Sequence, residues 1–512
     1  MDLTVVATAQ PFIASHFQAL NQISWIGTAF TLTDTAFVPL FGQIADVFGR
    51  IFHFLIGIAY ATGPLIGGYM TNVHWRYVFV LLSALSAISI LTIAFLRPDL
   101  KKGRYSVAHP QSGQTSLRSF LDGCACIDLI GVGTFVVGVA LIILATSWGG
   151  SAYAWTSPAV LTPLITGPFL LVVFVMYQRH MAPGRRLAQR LPRIMPVVPY
   201  QLFHEKDVTL VCIISAATGA ALYACFYFAG IYFTLVEGFD AGKAGLQLLF
   251  YVPGIGIGVY TAIIMCNVHP RQTIWPLLIG TIVETGSIGA LSWAIRARQR
   301  TAVNVLMGVA GFGTGIRFMP ENLHLTGMYR DKIAVILGLL SFAGPFGGTI
   351  ALTVMGSVFQ NKMSAYFVGS EGLSRFDVNS PTALNAISDL SLEDLERFRS
   401  AAANAISWSF ISILPFLALS ILAALMLGNV WICKDKKAMK ATSPSDPTVN
   451  TDAALQDQTQ SVQRNGRPEV LTGIYLYAVL RGTVASQRHL GPLEVRLDRH
   501  KEKKDSRESA SL

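Results

Sequence analysis

Two carboxylates stand where hydrocarbon is expected. Glu284 falls near the centre of the apolar stretch 273–294, and Asp34 near the centre of 23–45. An ionised side chain at such depth costs about 2.5–3.5 kcal/mol on insertion scales. Burial disfavours the charged form of any carboxyl group, so an acid in this setting can bind and release a proton as its access to water alternates. The other role open to Glu284 is an interhelical hydrogen bond, while Thr31, Thr33 and Thr35 offer Asp34 local partners. A second pattern, Gly42-Gln-Ile-Ala-Asp46-Val-Phe-Gly49-Arg50, sets opposite charges one helical turn apart between glycines that permit a tight loop. An ion-paired turn at a helix end is the minimal reading. In Gly63-Pro64-Leu-Ile-Gly67-Gly68, Pro64 removes a backbone donor and kinks the helix, and the three glycines leave a bare face for a neighbouring helix. Tyr223, Phe226 and Tyr227 share one helical face by their offsets, where they either stack on a flat lipophilic ligand or pack helices together. Asp128 opens an apolar run and reads as a helix cap.

These residues need an apolar scaffold, and the composition supplies one. Of 512 residues 52% are hydrophobic and 13% charged, against about 25% charged in soluble domains, and the mean hydropathy is +0.50. Each spanning run must be helical because hydrocarbon offers loose backbone groups no partner. Spans are expected over about 23–45, 51–72, 75–96, 128–147, 158–177, 208–233, 245–265, 273–294, 302–319, 333–358 and 406–432, with a shortened apolar piece over 1–15. The Met1-Asp2 start has no basic region of the kind that opens a cleavable signal peptide. The expected organisation is an incomplete N-terminal helix bundle over 1–96, a cytoplasmic loop over 97–127, a central helix pair over 128–177 and a second cytoplasmic loop over 178–207. A C-terminal bundle over 208–432 follows, with an outer, partly helical loop at 360–405, and 433–512 reads as a disordered cytoplasmic tail.

Loop charges orient the helices. Arg50, Arg97 to Arg118, Arg179 to Lys206, Arg271, and Arg317 with Arg330 and Lys332 fall in loops on one side, which positive-inside logic makes cytoplasmic. Arg76, Lys243 and the Arg296, Arg298 and Arg300 cluster mark the other side. The net charge of +10 then belongs to the membrane surface, and nucleic acid is not expected as a partner. The six cysteines lack zinc-ligand spacing and read as reduced packing residues. No phosphate loop, metal-ligand set or Gly-x-Ser-x-Gly elbow occurs in the sequence. ATP-driven export, a metal site, a cofactor and an intramembrane enzyme are therefore not expected, which leaves an ion gradient as the energy source.

Gly42 to Arg50 and Gly63 to Gly68 both resemble motifs of the major facilitator superfamily. Asp2 to Pro11, Ile23-Ser-Trp25, Trp75-Arg76-Tyr-Val-Phe79, Gly245 to Leu249 and Ser341 to Gly348 look more narrowly like fungal fourteen-span drug:proton antiporters, over about residues 1–435. The resemblance implies an all-α major facilitator fold, here with about 11–12 transmembrane helices, and proton-coupled efflux of a small lipophilic drug, toxin or secondary metabolite. It implies that Gly42, Asp46, Gly49 and Arg50 latch a cytoplasmic gate and that Gly63, Pro64, Gly67 and Gly68 form the antiporter motif. Glu284 and Asp34 remain the candidates for proton coupling, and Tyr223, Phe226 and Tyr227 for the substrate cavity. Gly344-Pro345-Phe-Gly347-Gly348 echoes the antiporter motif.

In that family three crossings separate the two motifs, whereas about a dozen residues do so here. As a helix they cover roughly 20 Å, less than one hydrocarbon core of about 30 Å. The start of span one and the region from late span three to early span five, including an arginine motif associated with proton coupling, are therefore expected to be missing. Losing two crossings preserves the orientation of everything after residue 72. A coding sequence that skips one stretch and reads through another would explain this junction and the unfamiliar segment 465–512. The other readings are a transport-deficient degenerate paralogue and an iron-chelate (siderophore) transporter. A monomer in the lipid bilayer is expected, in the plasma membrane or next in the vacuolar membrane.

Overall fold

In hydrocarbon a backbone can bond only to itself, and the described residues include eight helices long and apolar enough to cross a bilayer. The computed structural model describes residues 66–84, 128–368 with short interruptions, 392–432 and 469–490, together with a few isolated residues before 30 and at 87. Gly42, Asp46, Gly49, Arg50, Gly63, Pro64 and Asp34 lie outside the described residues, as does the crowded junction between the two motifs. Residues 66–84 are helical except at Trp75, so the break falls between the spans expected to end at 72 and begin at 75.

The first helix pair is α1, Leu129–Trp148, and α2, Pro158–His180. Asp128 caps α1 as expected, its Oδ1 accepting from the Gly131 amide at 2.8 Å. The same carboxylate accepts from the Tyr177 hydroxyl and the Gln178 amide of α2, each at 3.0 Å, so one cap ties two helices together. Then come α3, Lys206–Leu235, and a span made of two pieces, α4, Ala241–Leu248, and α5, Tyr251–Asn267. The bundle is completed by α6, Ile274–Arg296; α7, Arg300–Met328; α8, Ile333–Val368; and α9, Leu392–Leu425.

Helix α3 is central. It is buried on nearly every side from Val211 to Phe233, packed on α7, α8 and α9, which suits a sequence apolar all round. Its core includes Phe226, Phe228, Phe233, Phe359 and Phe410. Without a hydrophobic drive between helices in lipid, close approach must come from small residues. At the α3–α8 crossing a Cβ on Gly219 would run into the carbonyl oxygen of Gly344, and one on Gly347 into that of Ala216. The repeated Gly-Pro motif thus forms an interhelical seam. Gly219→Ala is expected to destabilise the bundle by about 1–3 kcal/mol through overpacking, whereas Gly344→Ala, whose Cβ would meet Ser215 only at 3.7 Å, is expected to be near neutral. Melting of the two purified variants side by side checks this, and equal melting temperatures would refute it.

Three expectations are corrected. Arg317 is not a loop cation: α7 continues through Pro320 to Met328 and buries Arg317 completely, because a carboxylate on the facing helix answers its charge. The last span does not occupy 406–432. Its helix begins at Leu392, where Arg298 bonds Glu396 at 2.8 Å, and ends at Leu425. Nor is the tail wholly irregular. β1, Asn429–Trp431, pairs antiparallel with β2, Glu469–Leu471, which pairs antiparallel with β3, His489–Leu490. Between β2 and β3, α10, Tyr475–Leu480, packs Tyr475 against Trp275 and Trp431. Leu471, Tyr475 and Ala478 join Leu277 and Leu325 in one apolar cluster. Polar composition averaged over the tail conceals the apolar island at 469–480 that makes this docking possible.

Candidate functional site

Glu284 lies ten residues into α6 and is fully buried. What faces it is set by two glycines. A Cβ on Gly313 would stand 2.7–2.9 Å from the backbone N, Cα and Cβ of Glu284, and one on Gly280 would stand 2.5 Å from Cγ of Arg317. Small residues at both points let α6 and α7 approach closely enough to seat the acid against the guanidinium. Arg317 Nη2 donates to Glu284 Oε2, and the Thr314 hydroxyl donates to Oε1. Tyr251 of α5 reaches the Thr314 hydroxyl at 2.6 Å. Thr314 has one proton, so while it donates to Glu284 it must accept from Tyr251.

This gives a directed chain, Tyr251 to Thr314 to Glu284, ending on a charge-assisted pair. Phe226 stands edge-on to Tyr251 with ring centroids 5.4 Å apart. The aromatic set singled out on α3 and the acid singled out on α6 are therefore joined through one tyrosine. Tyr223, Phe226 and Tyr227 are only 4%, 0% and 0% exposed, and Tyr223 sits against Gly348 of α8. They fill the interhelical core in this conformation and do not present an open wall, because α3 is surrounded.

Arg317 is under-partnered: its Nε and Nη1 have no hydrogen-bond acceptor among the described residues. One turn further along α7, buried Glu321 accepts from Thr218 of α3 at 2.9 Å. Two acids thus flank one guanidinium, and the cluster is electrically neutral when the acids share a single proton between them. Such an arrangement binds one proton without leaving net charge in hydrocarbon.

Of the motif Gly63 to Gly68, Gly67 and Gly68 are described and buried. A Cβ on Gly68 would meet the Ala241 carbonyl oxygen at 2.5 Å, so this glycine admits the start of α4, where Asn72 also reaches Asp240 at 3.3 Å. Thr314, Tyr251, Glu321 and His324 are not among the residues that the sequence marks, and Arg317 is marked there only as a loop cation. The signal for part of this set was present: Arg317, Glu321 and His324 are spaced i, i+4 and i+7, one face of a helix.

Residues 48–378 match the profile of the family described as fungal trichothecene efflux pump. Among individual proteins, the chain is 25% identical over 433 residues to MFS transporter L2 of Phoma sp., covering 71% of this chain and 68% of the relative. It is 23% identical over 460 residues to the efflux pump mlcE of Penicillium citrinum, covering 75% and 79% respectively. A solved bacterial homologue of the human lysosomal transporter Spinster aligns with 83% of this chain and 94% of its own, at 14% identity and a TM-score of 0.38.

Proposed function

The chain belongs to the fungal trichothecene efflux pump family, and from that premise we propose that it exchanges protons for a small lipophilic compound, with Glu284 as the proton-binding group. It is a multi-pass membrane transporter of the efflux class, as its motifs led one to expect. Family and fold are those of transporters, not of enzymes. The observation that carries the proton reading is the fully buried Glu284–Arg317 pair within two spans. A buried ion pair is weak evidence for stability, since its desolvation offsets its attraction, which favours a functional reason for placing it there.

Proton occupancy at Glu284 loosens its bond to Arg317, and the Tyr251 to Thr314 chain carries the change to Phe226 on central α3. Tyr223, Phe226 and Tyr227 then form the lipophilic surface when α3 and its neighbours separate. Secondary metabolites of the kind named by the family fit that surface by dispersion and stacking. The proposed unit is a monomer, and the proposed location is the plasma membrane, with the vacuole second. In proteoliposomes carrying an imposed pH gradient, a trichothecene is expected to move against its own gradient only while the pH gradient lasts. Movement indifferent to the pH gradient would remove proton coupling.

A further inference from the structure

Past Arg317, helix α7 carries two more buried ionisable groups before it ends. Glu321 follows Arg317 by four residues, His324 follows Glu321 by three, and Met328 closes the helix. Glu321 is 5% exposed and His324 0%. Residues three or four apart on a helix stand about 5–6 Å apart at Cβ, so the three form one buried file. The end of α7 near Met328 is the one that the basic loops make cytoplasmic.

Each member has partners suited to passing a proton. The Thr218 hydroxyl lies 2.9 Å from both Glu321 Oε1 and the Ile214 carbonyl oxygen. With one hydrogen it donates to an ionised Glu321; when Glu321 carries a proton, the hydroxyl turns to Ile214 and accepts from the acid. Both protonation states are thereby satisfied. At His324, Nδ1 lies 2.7 Å from the Thr273 hydroxyl, while Nε2 has no partner among the described residues although it is buried. Thr273 precedes α6 and makes no capping bond with its side chain; Asn429 of β1 reaches the Ile274 amide instead, at 3.4 Å. The Thr273 hydroxyl is thus left to the imidazole. The groups around the file are Glu284 of α6, Lys206, Cys212, Ser215 and Thr218 of α3, and Thr273 and Asn429 at the α6 end.

We propose that Glu321 and His324 are the cytoplasmic branch of the proton path, connecting the Glu284–Arg317 pair to the helix end at Thr273. His324 Nε2 has no hydrogen-bond partner among the described residues, so the transfer runs through one intervening water: the Glu321 O–H bond breaks, the water takes that proton and gives one of its own, and an N–H bond forms at His324 Nε2. The imidazolium then releases its Nδ1 proton past Thr273 to water, and the reverse sequence reloads Glu321. One proton moves, and nothing is oxidised or reduced. This inference rests on Glu284 being the proton-binding group, and its test separates the two.

The full-length protein in nanodiscs, followed by infrared absorption of protonated carboxyl groups after a rapid pH jump, needs no transported ligand. Glu284→Gln and Glu321→Gln are each expected to remove part of the titrating carboxyl signal. His324→Asn is expected to leave the equilibrium signal in place and to slow its appearance by about a hundredfold, the scale of a lost positioned acid–base group. A merely structural histidine would shift the equilibrium or the helix content and not the rate alone. Loss of signal in Glu284→Gln with none in Glu321→Gln overturns the branch and leaves the Glu284 reading standing. Loss in neither overturns both. A rate in His324→Asn equal to that of the unsubstituted protein, with helix content retained in both, removes His324, and His324→Gln repeats that measurement if the first variant does not fold.

Discussion

Glu284→Gln is expected to reduce proton-driven export to background. Glutamine keeps the length of the side chain and one carbonyl acceptor for Thr314 or Arg317, so the interface between α6 and α7 can close around it. What it loses is the ability to bind and release a proton, which the exchange needs at this point of the cycle. The same substitution takes from the fully buried Arg317 the one carboxylate it bonds directly, leaving only Glu321 one turn along α7, which makes no hydrogen bond to it, to balance its charge. A guanidinium cannot shed its proton, so the variant is also expected to lose about 3–5 kcal/mol of stability, the scale for breaking one half of a buried pair. Glu284→Asp, which retains the charge, separates the effects: partial export there with none in Glu284→Gln assigns the loss to proton binding. Export by Glu284→Gln at the unsubstituted rate would take Glu284 out of the mechanism.

Arg317→Met is expected to be tolerated better than Glu284→Gln, although it removes the larger side chain. A carboxylate left without its partner can take up a proton and become neutral, whereas an abandoned guanidinium stays charged. Glu321 lies on the same helix and Glu284 on the facing one, and losing the shared cation removes the electrostatic reason for either to ionise. Export in Arg317→Met is therefore expected to fail through an acid that holds its proton, with the fold retained. The double variant Glu284→Gln/Arg317→Met is expected to be more stable than Glu284→Gln alone, because both halves of the pair are gone and no charge is stranded. A double-mutant cycle on melting of the four proteins should give a coupling of about 0.5–3 kcal/mol. Additive losses would mean that the two side chains do not act as a pair.

How far the site was legible depended on how local its cause was. Glu284 stands out because a carboxylate in an apolar run is anomalous on its own helix, whatever surrounds it. Asp128 as a cap was equally plain, since the cap bonds an amide three residues away. Arg317 reads as a loop cation from its charge alone, because the acid that answers it lies on another helix and leaves no trace in its own sequence neighbourhood. The docking of residues 469–490 was hidden for a related reason: the strand that receives Glu469–Leu471 lies some forty residues earlier, at Asn429–Trp431.

The sequence by itself determined the solvent, the membrane-spanning character of the helices and the lineage. Hydrocarbon partitioning acts residue by residue, and the glycine and proline motifs act within a turn or two, so composition and spacing sufficed. It also marked Glu284 as a group out of place. Only the tertiary structure decided what answers that acid, 33 residues away on the next helix. That partner is chosen by how closely two helices cross, which Gly280 and Gly313 permit jointly and neither reveals alone. The same crossing aligns Glu284 with the file of Arg317, Glu321 and His324, and so turns one anomalous carboxylate into the head of a path.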